Sequence, residues 1–309
     1  MLAYGKNEYG QLGNPNGTTS HINYAKLVAK NVKDFDIGYT SSAIISGDNN
    51  ELLFAGASTF GQIPGRIDSH YDSSTWLTTF SKVGITGIGK IARGHNHTMF
   101  VPSSTSAETG IDGDPLYEIG VVYTHGYNGN GELGRTTSSY DSRDSTPSRS
   151  EMRFNATDVV EISAGNAHSA VLRANGELYV FGSNNFGQLG RSSQVGDSAL
   201  ASSPLTPITN VSKVSLAGWN SSYIDTSDNL YTFGDNSYGQ LGNKPDTGFT
   251  LQGTLFGAFS STPTGVFSNI KDVSLGNIHT LMLSGSSITG NLYGYGNGGS
   301  RQINRNASI

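Results

Sequence analysis

The sequence predicts an all-β protein in which one structural unit recurs along the chain. The first observation is a phrase, LYVFGSNNFGQLG from Leu178 to Gly190, whose copies recur about every fifty to seventy residues, a period typical of repeat architectures. A second motif alternates with it and consists of a strand, a Gly-x-x-His/Ser-Ser/Thr corner and another strand. The third is composition: glycine makes up 41 of 309 residues and charged residues only 14%, which favours short strands joined by many turns.

Each part of the phrase has a predicted structural role. The four residues from Leu178 to Phe181 are apolar, aromatic or β-branched and predict a buried strand, which Gly182 ends. The polar residues that follow are typical of a tight turn. We expect Gly187 and Gly190 to adopt backbone angles that other residues avoid, so that Leu189 between them points inward. The phrase therefore predicts a strand, a turn and an apolar plug.

The spacing of the two motifs predicts how the strands are grouped. Copies of the phrase begin at Leu2, Leu52, Val121, Leu178, Leu230 and, in decayed form, Leu292, and copies of the corner motif begin at Val32, Ile88, Val159, Val211 and Ile270. Each corner motif supplies two strands before the phrase, and a stretch after it, such as Pro204 to Ile208, supplies an outer one. Four antiparallel strands per unit predict a β-propeller of about six blade equivalents, with five complete four-stranded blades and a partial N-terminal blade, in a single domain over residues 1–309.

The alternation of G-x-x-H-[ST] with L-Y-x-F-G-x-N-x-x-G-Q-L-G resembles the regulator of chromosome condensation repeat family. The resemblance implies a propeller that acts as an exchange factor on small GTPases, inhibits enzymes through one face, or serves as a rigid interaction platform. Well-known members close with more blades than this sequence supplies. The missing strands of the N-terminal blade are therefore expected from the tail after Gly296 or from a neighbouring subunit.

Charge and hydropathy exclude several classes of partner. The net charge is −5, with 19 Lys and Arg residues and no basic run, so we expect no nucleic-acid partner. No apolar stretch reaches the length of about 18 residues that a membrane span needs, and no basic leader precedes the first phrase, so neither membrane insertion nor a cleaved signal peptide is expected.

The histidines do not form a catalytic or metal-binding pattern. Three of the seven, His97, His168 and His279, share one corner position, and Ser41 and Ser221 take the equivalent corners. This periodicity favours neutral, buried histidines that bond backbone groups of their own blade over a ring of metal ligands. His95 and His97 are expected on opposite faces of a strand, which disfavours shared ligation. Without a nucleophile elbow or a phosphate loop, we predict no catalytic residues, no enzyme activity, no metal and no cofactor.

Candidate partner-binding residues lie in the insertions between motifs. The insertion from Lys244 to Gly265 places apolar residues in an otherwise polar region: Phe249, Leu251, Leu255, Phe256 and Phe259. They either fold back over their own blade or form a patch that binds another protein. Trp76, Tyr71 and Tyr140, in other insertions, allow the same two interpretations.

These observations predict a non-enzymatic interaction module. Few charges, no cysteine and long polar loops favour a structural, scaffold or receptor-facing component of an extracellular or virus (phage) particle, located in the virion or on an extracellular surface. Its partners would be other proteins, including neighbouring subunits of a large assembly. The alternative is a cytoplasmic regulator of the guanine-nucleotide-exchange type, or a protein inhibitor, that acts through one propeller face.

Overall fold

The computed structural model of the chain describes residues 1–14, 21–68, 73–104, 117–135, 143–149, 158–190, 206–242, 259–285 and 290–297. Within them, the strands are β1 (Leu2–Lys6), β2 (His21–Leu27), β3 (Val32–Ile37), β4 (Ser41–Ser46), β5 (Glu51–Gly56), β6 (Leu77–Lys82), β7 (Ile88–Arg93), β8 (His97–Pro102), β9 (Tyr123–Tyr127), β10 (Arg143–Arg149), β11 (Val159–Ala164), β12 (His168–Arg173), β13 (Leu178–Gly182), β14 (Val211–Ala217), β15 (Asn220–Asp225), β16 (Leu230–Asp235), β17 (Phe259–Phe267), β18 (Ile270–Leu275), β19 (His279–Ser284) and β20 (Asn291–Gly296). A single 3-10 turn at Ser73–Thr75 is the helical element of these residues, and no helix among them has the length and apolar character needed to cross a membrane. The predicted all-β class is confirmed.

The strands form six antiparallel sheets in which strands adjacent in sequence pair with each other. The sheets are β1-β2, β3 to β6, β7 to β10, β11 to β13, β14 to β17 and β18 to β20. Corner motifs supply the first two strands of the last five sheets and the phrase supplies the third, as predicted. The count of six blade equivalents is consistent with this arrangement.

The outer strands differ in part from the prediction of five four-stranded blades. Within the described residues, three sheets have four strands and two have three. In the sheet β11 to β13, the outer position is held by an isolated bridge between Leu178 and Ile208, which is the one pair that the described part of the predicted outer strand, residues 206–208, makes. Outer strands depend on the variable insertions and not on the repeated motifs, which is why sequence patterns specify them least.

The hydrophobic core lies between neighbouring sheets. Ile91 of β7 belongs to the same buried cluster as Phe54 of the preceding sheet, and Val214 of β14 shares a cluster with Leu172 in the same way. Because the first strand of each sheet faces the sheet before it, burial couples the repeats into one structure. Full burial of one such side chain stabilises the fold by roughly 1.5–3 kcal/mol.

The end of the phrase folds as the predicted plug. Gly187 and Gly190 have φ angles of 77° and 69°, and Leu189 is buried at 3% exposure. The backbone N–H of Leu189 donates to Oδ1 of Asn184 at 3.0 Å, and the backbone N–H of Phe186 donates to Oε1 of Gln188 at 2.8 Å. The equivalent apolar residues Leu12, Ile63, Leu133 and Leu241 are also buried. The inward direction of the plug leucines is confirmed.

Candidate functional site

Corners and plugs lie at the same end of each sheet, because the second strand begins where the third ends. In the fourth sheet, for example, His168 at the start of β12 pairs with Gly182 at the end of β13. We call this end the corner face; it comprises the corners at 38–41, 94–97, 165–168, 217–220 and 276–279 and the plugs at 7–13, 58–64, 128–134, 184–190 and 236–242. Residues from neighbouring repeats therefore meet on one surface.

An aromatic cluster lies on the corner face where the first three sheets approach each other. Its members are Tyr9, Tyr39, Trp76 and His95. The ring centroids of Tyr9 and Trp76 are 5.1 Å apart, and those of Tyr9 and Tyr39 are 6.4 Å apart. Tyr39 stacks on the imidazole of His95 with a centroid separation of 4.2 Å and an interplanar angle of 21°. Rings from one plug, two corners and the segment before β6 thus form a continuous surface.

The cluster combines apolar contact area with one cation at its edge. Tyr39 is 52% exposed, so the surface is accessible. Nζ of Lys6 lies 5.8 Å from the ring centroid of Tyr39 and 2.9 Å from a carboxylate oxygen of Glu8. Burial lowers the pKa of His95, which keeps its imidazole neutral at neutral pH. Rigid rings with polar tips suit contact with apolar, aromatic or arginine side chains of another protein.

Related aromatic contacts recur around the corner face. Phe60 of the second plug meets Tyr127 edge-on at 5.5 Å, and Phe186 of the fourth plug meets Trp219 of the next corner at 5.5 Å. Tyr238 of the fifth plug is 50% exposed. The aromatic residue before Gly-Gln-Leu therefore repeatedly lies at the surface, although the plug leucine beside it is buried.

The structure places two of the residues that were predicted to bind a partner, and these lie in different parts of the molecule. Trp76 belongs to the aromatic cluster. Phe259 is the first residue of β17 and pairs with Asp235 of β16, so it lies in a sheet and not in a loop, and its part in partner binding stays a prediction. The other candidates, Phe249, Leu251, Leu255, Phe256, Tyr71 and Tyr140, lie outside the described residues. Their role stays a prediction.

Sequence reasoning missed Tyr9, Tyr39 and His95 as surface residues. All three lie inside the repeated motifs, which the sequence analysis interpreted as structural. The available signal was variation at an otherwise repeated position: the residue after the corner glycine is Tyr39, His95 or Asn166 in successive repeats. A position that varies while the backbone around it is repeated is not fixed by the core of its own sheet, and it is therefore a candidate surface position.

Beneath this surface, corner histidines and hydroxyls connect neighbouring sheets. Oγ of Ser169 donates to the carbonyl of Glu132 at 2.8 Å and lies 2.8 Å from Nε2 of His97. Thr98, Ser221 and Thr280 donate in the same way to the carbonyls of Gln62, Gln188 and Gln240. The histidine bonds therefore reach the hydroxyl of the next sheet, and not a carbonyl of the same blade as expected. The difference arises because each corner is packed against the following one.

The buried histidines are uncharged. Burial lowers the pKa of both His97 and His168 to about 3. Among the described residues, no group of three histidine, aspartate or glutamate side chains is arranged to hold a metal ion. The prediction that His95 and His97 lie on opposite faces of a strand is wrong. Residues two apart on a strand would share a face, and His95 instead lies in the corner before β8, stacked on Tyr39.

Two corners depart from the histidine pattern. In the fifth sheet, Asn220 pairs with Gly234 and so occupies the histidine position; the sequence assignment of Ser221 to it was one residue too late. In the second sheet the position holds Ser41, and the guanidinium of Arg93 reaches back from the next sheet to bond the hydroxyls of Ser41 and Thr98. An arginine thus replaces the imidazole link at this junction.

Three stretches of the chain between residues 120 and 283 match a known repeat. The repeat described as "Regulator of chromosome condensation (RCC1) repeat" matches residues 120–172, 175–221 and 227–283, just over half of the chain, and a second description of the same repeat matches residues 159–188. The chain belongs to the regulator of chromosome condensation (RCC1) repeat family. The alternating corner and phrase identified in the sequence are the two halves of the RCC1 repeat.

Individual relatives agree with this assignment. The chain is 35% identical over 138 residues to the regulator of chromosome condensation of Xenopus laevis, covering 43% of this chain and 31% of that protein. It is 27% identical over 307 residues to the ultraviolet-B receptor UVR8 of Arabidopsis thaliana, covering 96% of this chain and 60% of the receptor. The chain therefore spans only part of the length of these curated RCC1-repeat relatives.

Solved structures show the same fold. Human WBSCR16 superimposes with a TM-score of 0.70 at 16% identity, covering 96% of this chain and 74% of that one. Yeast RCC1 (Prp20), bound to Kap60, superimposes with a TM-score of 0.68 at 19% identity, covering 96% and 66%. At such identities the likeness concerns the fold alone. It establishes the β-propeller architecture of this RCC1-repeat chain.

Proposed function

We propose that this RCC1-repeat chain is a non-enzymatic protein-binding module whose partner docks on the corner face through the aromatic cluster. The observation that carries the proposal is the convergence of Tyr9, Tyr39, Trp76 and His95 from successive repeats on one accessible surface. Aromatic residues held by a rigid scaffold lose little conformational freedom on binding, and they dominate many protein interfaces.

The low charge of the chain supports a structural setting for this module. Only 14% of residues are charged and no cysteine is present. We propose that the module is a surface or receptor-facing component of a larger extracellular or virus-particle assembly, with neighbouring subunits among its partners. A rigid propeller with variable insertions provides the shape that such a role requires.

A second candidate function is regulation of a GTPase by exchange or inhibition. The similarity to regulators of chromosome condensation favours it, and a structurally similar yeast protein, Prp20p, was studied for its binding to Gsp1p and histones. Such a regulator would also act through one propeller face.

Site-specific photocrosslinking tests the proposed binding face. A photoreactive phenylalanine analogue replaces Tyr39 in the cluster or, as a control, Tyr24 on β2, which is 69% exposed. In the native assembly, we expect position 39 to crosslink to one defined protein, identified by mass spectrometry, and position 24 not to. Equal crosslinking at both positions, or none at 39, would contradict the proposal. Accelerated nucleotide release from a purified GTPase that Tyr39→Ser abolishes would favour the second function.

A further inference from the structure

One glycine of the repeated phrase differs from its equivalents in what surrounds it. Gly5 ends β1 with a φ angle of 115°, and Gly182 ends β13 with a φ angle of 108°. A Cβ atom on Gly182 would lie 2.6 Å from the carbonyl oxygen of Ala167, at the corner of the adjacent second strand. A Cβ atom on Gly5 would have no atom within 4 Å. Gly5 thus has the backbone conformation with which Gly182 admits a closely packed strand, but no atom lies within 4 Å of its added Cβ.

The absent neighbour of Gly5 is a second strand. In the other five sheets, the strand that ends with the phrase glycine pairs with the strand that follows a corner: β5 with β4, β9 with β8, β13 with β12, β16 with β15 and β20 with β19. Within the described residues, β1 pairs with β2 alone. No strand of the described part of the chain lies along its other edge, and Leu2 and Tyr4 are 62% and 71% exposed.

The first strand of the next sheet also lacks the surface that it would pack against. The middle residue of this strand faces the preceding sheet and is buried in β7, β11, β14 and β18, where Ile91, Ile162, Val214 and Val273 are 3% to 8% exposed. The equivalent residue of β3 is Phe35, at 55%, and Ile37 two positions later is 58% exposed. Both would be covered by a strand placed beside β1.

A buried hydroxyl at the same junction has no hydrogen-bond partner among the described residues. Ser42 occupies the position of Ser169 and Ser221, whose hydroxyls lie 2.8 Å and 3.0 Å from Nε2 of a histidine in the preceding sheet. Oγ of Ser42 is buried without a hydrogen bond. An unpaired buried hydroxyl is destabilising. At Ser169 the partners are a plug carbonyl and a corner imidazole of the preceding sheet, and among the described residues no corner precedes β3 to supply the imidazole.

We propose that the edge of β1, together with Phe35, Ile37 and Ser42, is an acceptor site for a β-hairpin. The hairpin consists of two antiparallel strands joined by a Gly-x-x-His-Ser/Thr corner. The second strand of the hairpin pairs with β1, and its corner lies against Gly5. Its histidine donates to Oγ of Ser42, and its apolar residues cover Phe35 and Ile37. Strand addition of this kind combines main-chain hydrogen bonds with side-chain specificity.

A peptide of residues 158–173 tests the site, because it contains the strand–corner–strand unit of β11 and β12 with His168 at the corner. The peptide is labelled with a fluorophore and titrated with the full chain, and binding is followed by fluorescence anisotropy. We expect saturable binding at one peptide per chain. Replacing the histidine of the peptide with alanine should weaken binding about tenfold, the effect of one lost hydrogen bond between buried groups.

Variants of the full chain locate the binding site. Gly5→Ala adds a Cβ where the hairpin corner would lie and should weaken binding about tenfold or more. Gly47→Ala is the matched control, because Gly47 also has a positive φ and no atom within 4 Å of its added Cβ. Phe35→Asp should also weaken binding. Because this substitution lies on β3 and leaves β1 unchanged, weaker binding in this variant cannot come from a distortion of β1 such as Gly5→Ala can cause.

Three results would overturn the proposal. The first is absence of peptide binding to a folded chain, and the second is binding that neither Gly5→Ala nor Phe35→Asp weakens. The third is a self-associated chain, detected by sedimentation velocity, that Phe35→Asp dissociates and the peptide does not. In that case the surface would be an interface between copies.

Discussion

Nε2 of His168 lies 3.0 Å from Oγ of Ser221 in the next sheet, and that oxygen donates to the carbonyl of Gln188 at 2.7 Å. Because the hydroxyl proton of Ser221 is donated to the carbonyl of Gln188, the imidazole must donate its Nε2 proton to the serine oxygen. The neutral ring therefore carries its proton on Nε2 and links two sheets that share no strand pairing.

The buried His168 ring should lower the free energy of unfolding in acid. Burial lowers the pKa of His168 to about 3, whereas an unfolded histidine titrates near 6.5. Between these values the unfolded chain binds a proton that the folded chain does not, so the free energy of unfolding falls as pH is lowered from about 6.5 towards 3, by about 1.4 kcal/mol per pH unit for this ring. His168→Asn, which copies the residue at Asn220, removes this dependence.

Urea unfolding of both proteins at pH 7, 6 and 5 measures the effect. The stability advantage of the wild-type protein over His168→Asn should shrink as the pH falls. The raised pKa values of Asp36 and Glu132 oppose the trend in both proteins and therefore cancel in the comparison. A constant difference at all three values would contradict the assignment of a buried neutral ring.

Replacement of Glu132 by glutamine should stabilise the protein at alkaline pH. The other four complete plugs carry Gln11, Gln62, Gln188 and Gln240 at this position. Glu132 is 1% exposed and burial raises its pKa to about 7, so the stability that its protonated form contributes is lost as pH rises through 7. We expect Glu132→Gln to raise the free energy of unfolding by about 1–3 kcal/mol at pH 8 and by less at pH 5.

Thermal unfolding followed by circular dichroism at both pH values tests this prediction. Glu8→Gln is the control, because Glu8 lies in the first plug but its side chain is 44% exposed. It should change stability by less than about 0.5 kcal/mol. An equal gain from both substitutions would indicate an effect of net charge and not of burial.

Gly182→Ala should destabilise the fold far more than Gly47→Ala. Both glycines have positive φ angles, so both substitutions introduce backbone strain of about 1 kcal/mol. Only at Gly182 does the added methyl group meet backbone, at the carbonyl of Ala167 and Cα of His168. Chemical denaturation should show a loss of about 3 kcal/mol or more at Gly182 and about 1 kcal/mol at Gly47. Similar losses would show that the strand pair can separate to admit a Cβ.

Arg93 and Ser41 should behave as one coupled pair. Arg93→Ala removes the guanidinium that joins Ser41 to Thr98 and should cost about 2–4 kcal/mol, because buried polar groups lose their partner. Adding Ser41→His supplies the imidazole that other corners use and should restore about 1 kcal/mol. In the presence of Arg93, the same histidine should destabilise by overfilling the junction. A double-mutant cycle measures the coupling, and strictly additive effects would refute it.

Much of the fold was predictable because the repeat reports backbone requirements directly. Gly182 and Gly187 hold positive φ angles that other residues rarely adopt, and Leu189 is the apolar residue between two such turns. The corner of the fifth sheet was misassigned because Ser221 and Ser222 both fit a Ser/Thr pattern, and only strand pairing distinguishes the register. Phe259 was misplaced because its insertion has no repeated pattern to mark where β17 begins.

The candidate site was predictable only in part. Trp76 was recognised as a large aromatic residue in a polar insertion, but its neighbours Tyr9 and Tyr39 come from residues far apart in the chain. Their approach depends on how three sheets are oriented, which no local pattern encodes.

The sequence by itself determined which residues form strands, corners and plugs, because glycine conformation, asparagine turns and period-two burial are local properties of the backbone. Only the tertiary structure decided which side chains meet between sheets. The links from His97 to Ser169 and from Arg93 to Ser41 span 72 and 52 residues, and the open junction at Gly5 and Phe35 is visible only when all six sheets are compared. Contacts between repeats depend on the packing of whole sheets, and the free energy of that packing is summed over many residues at once.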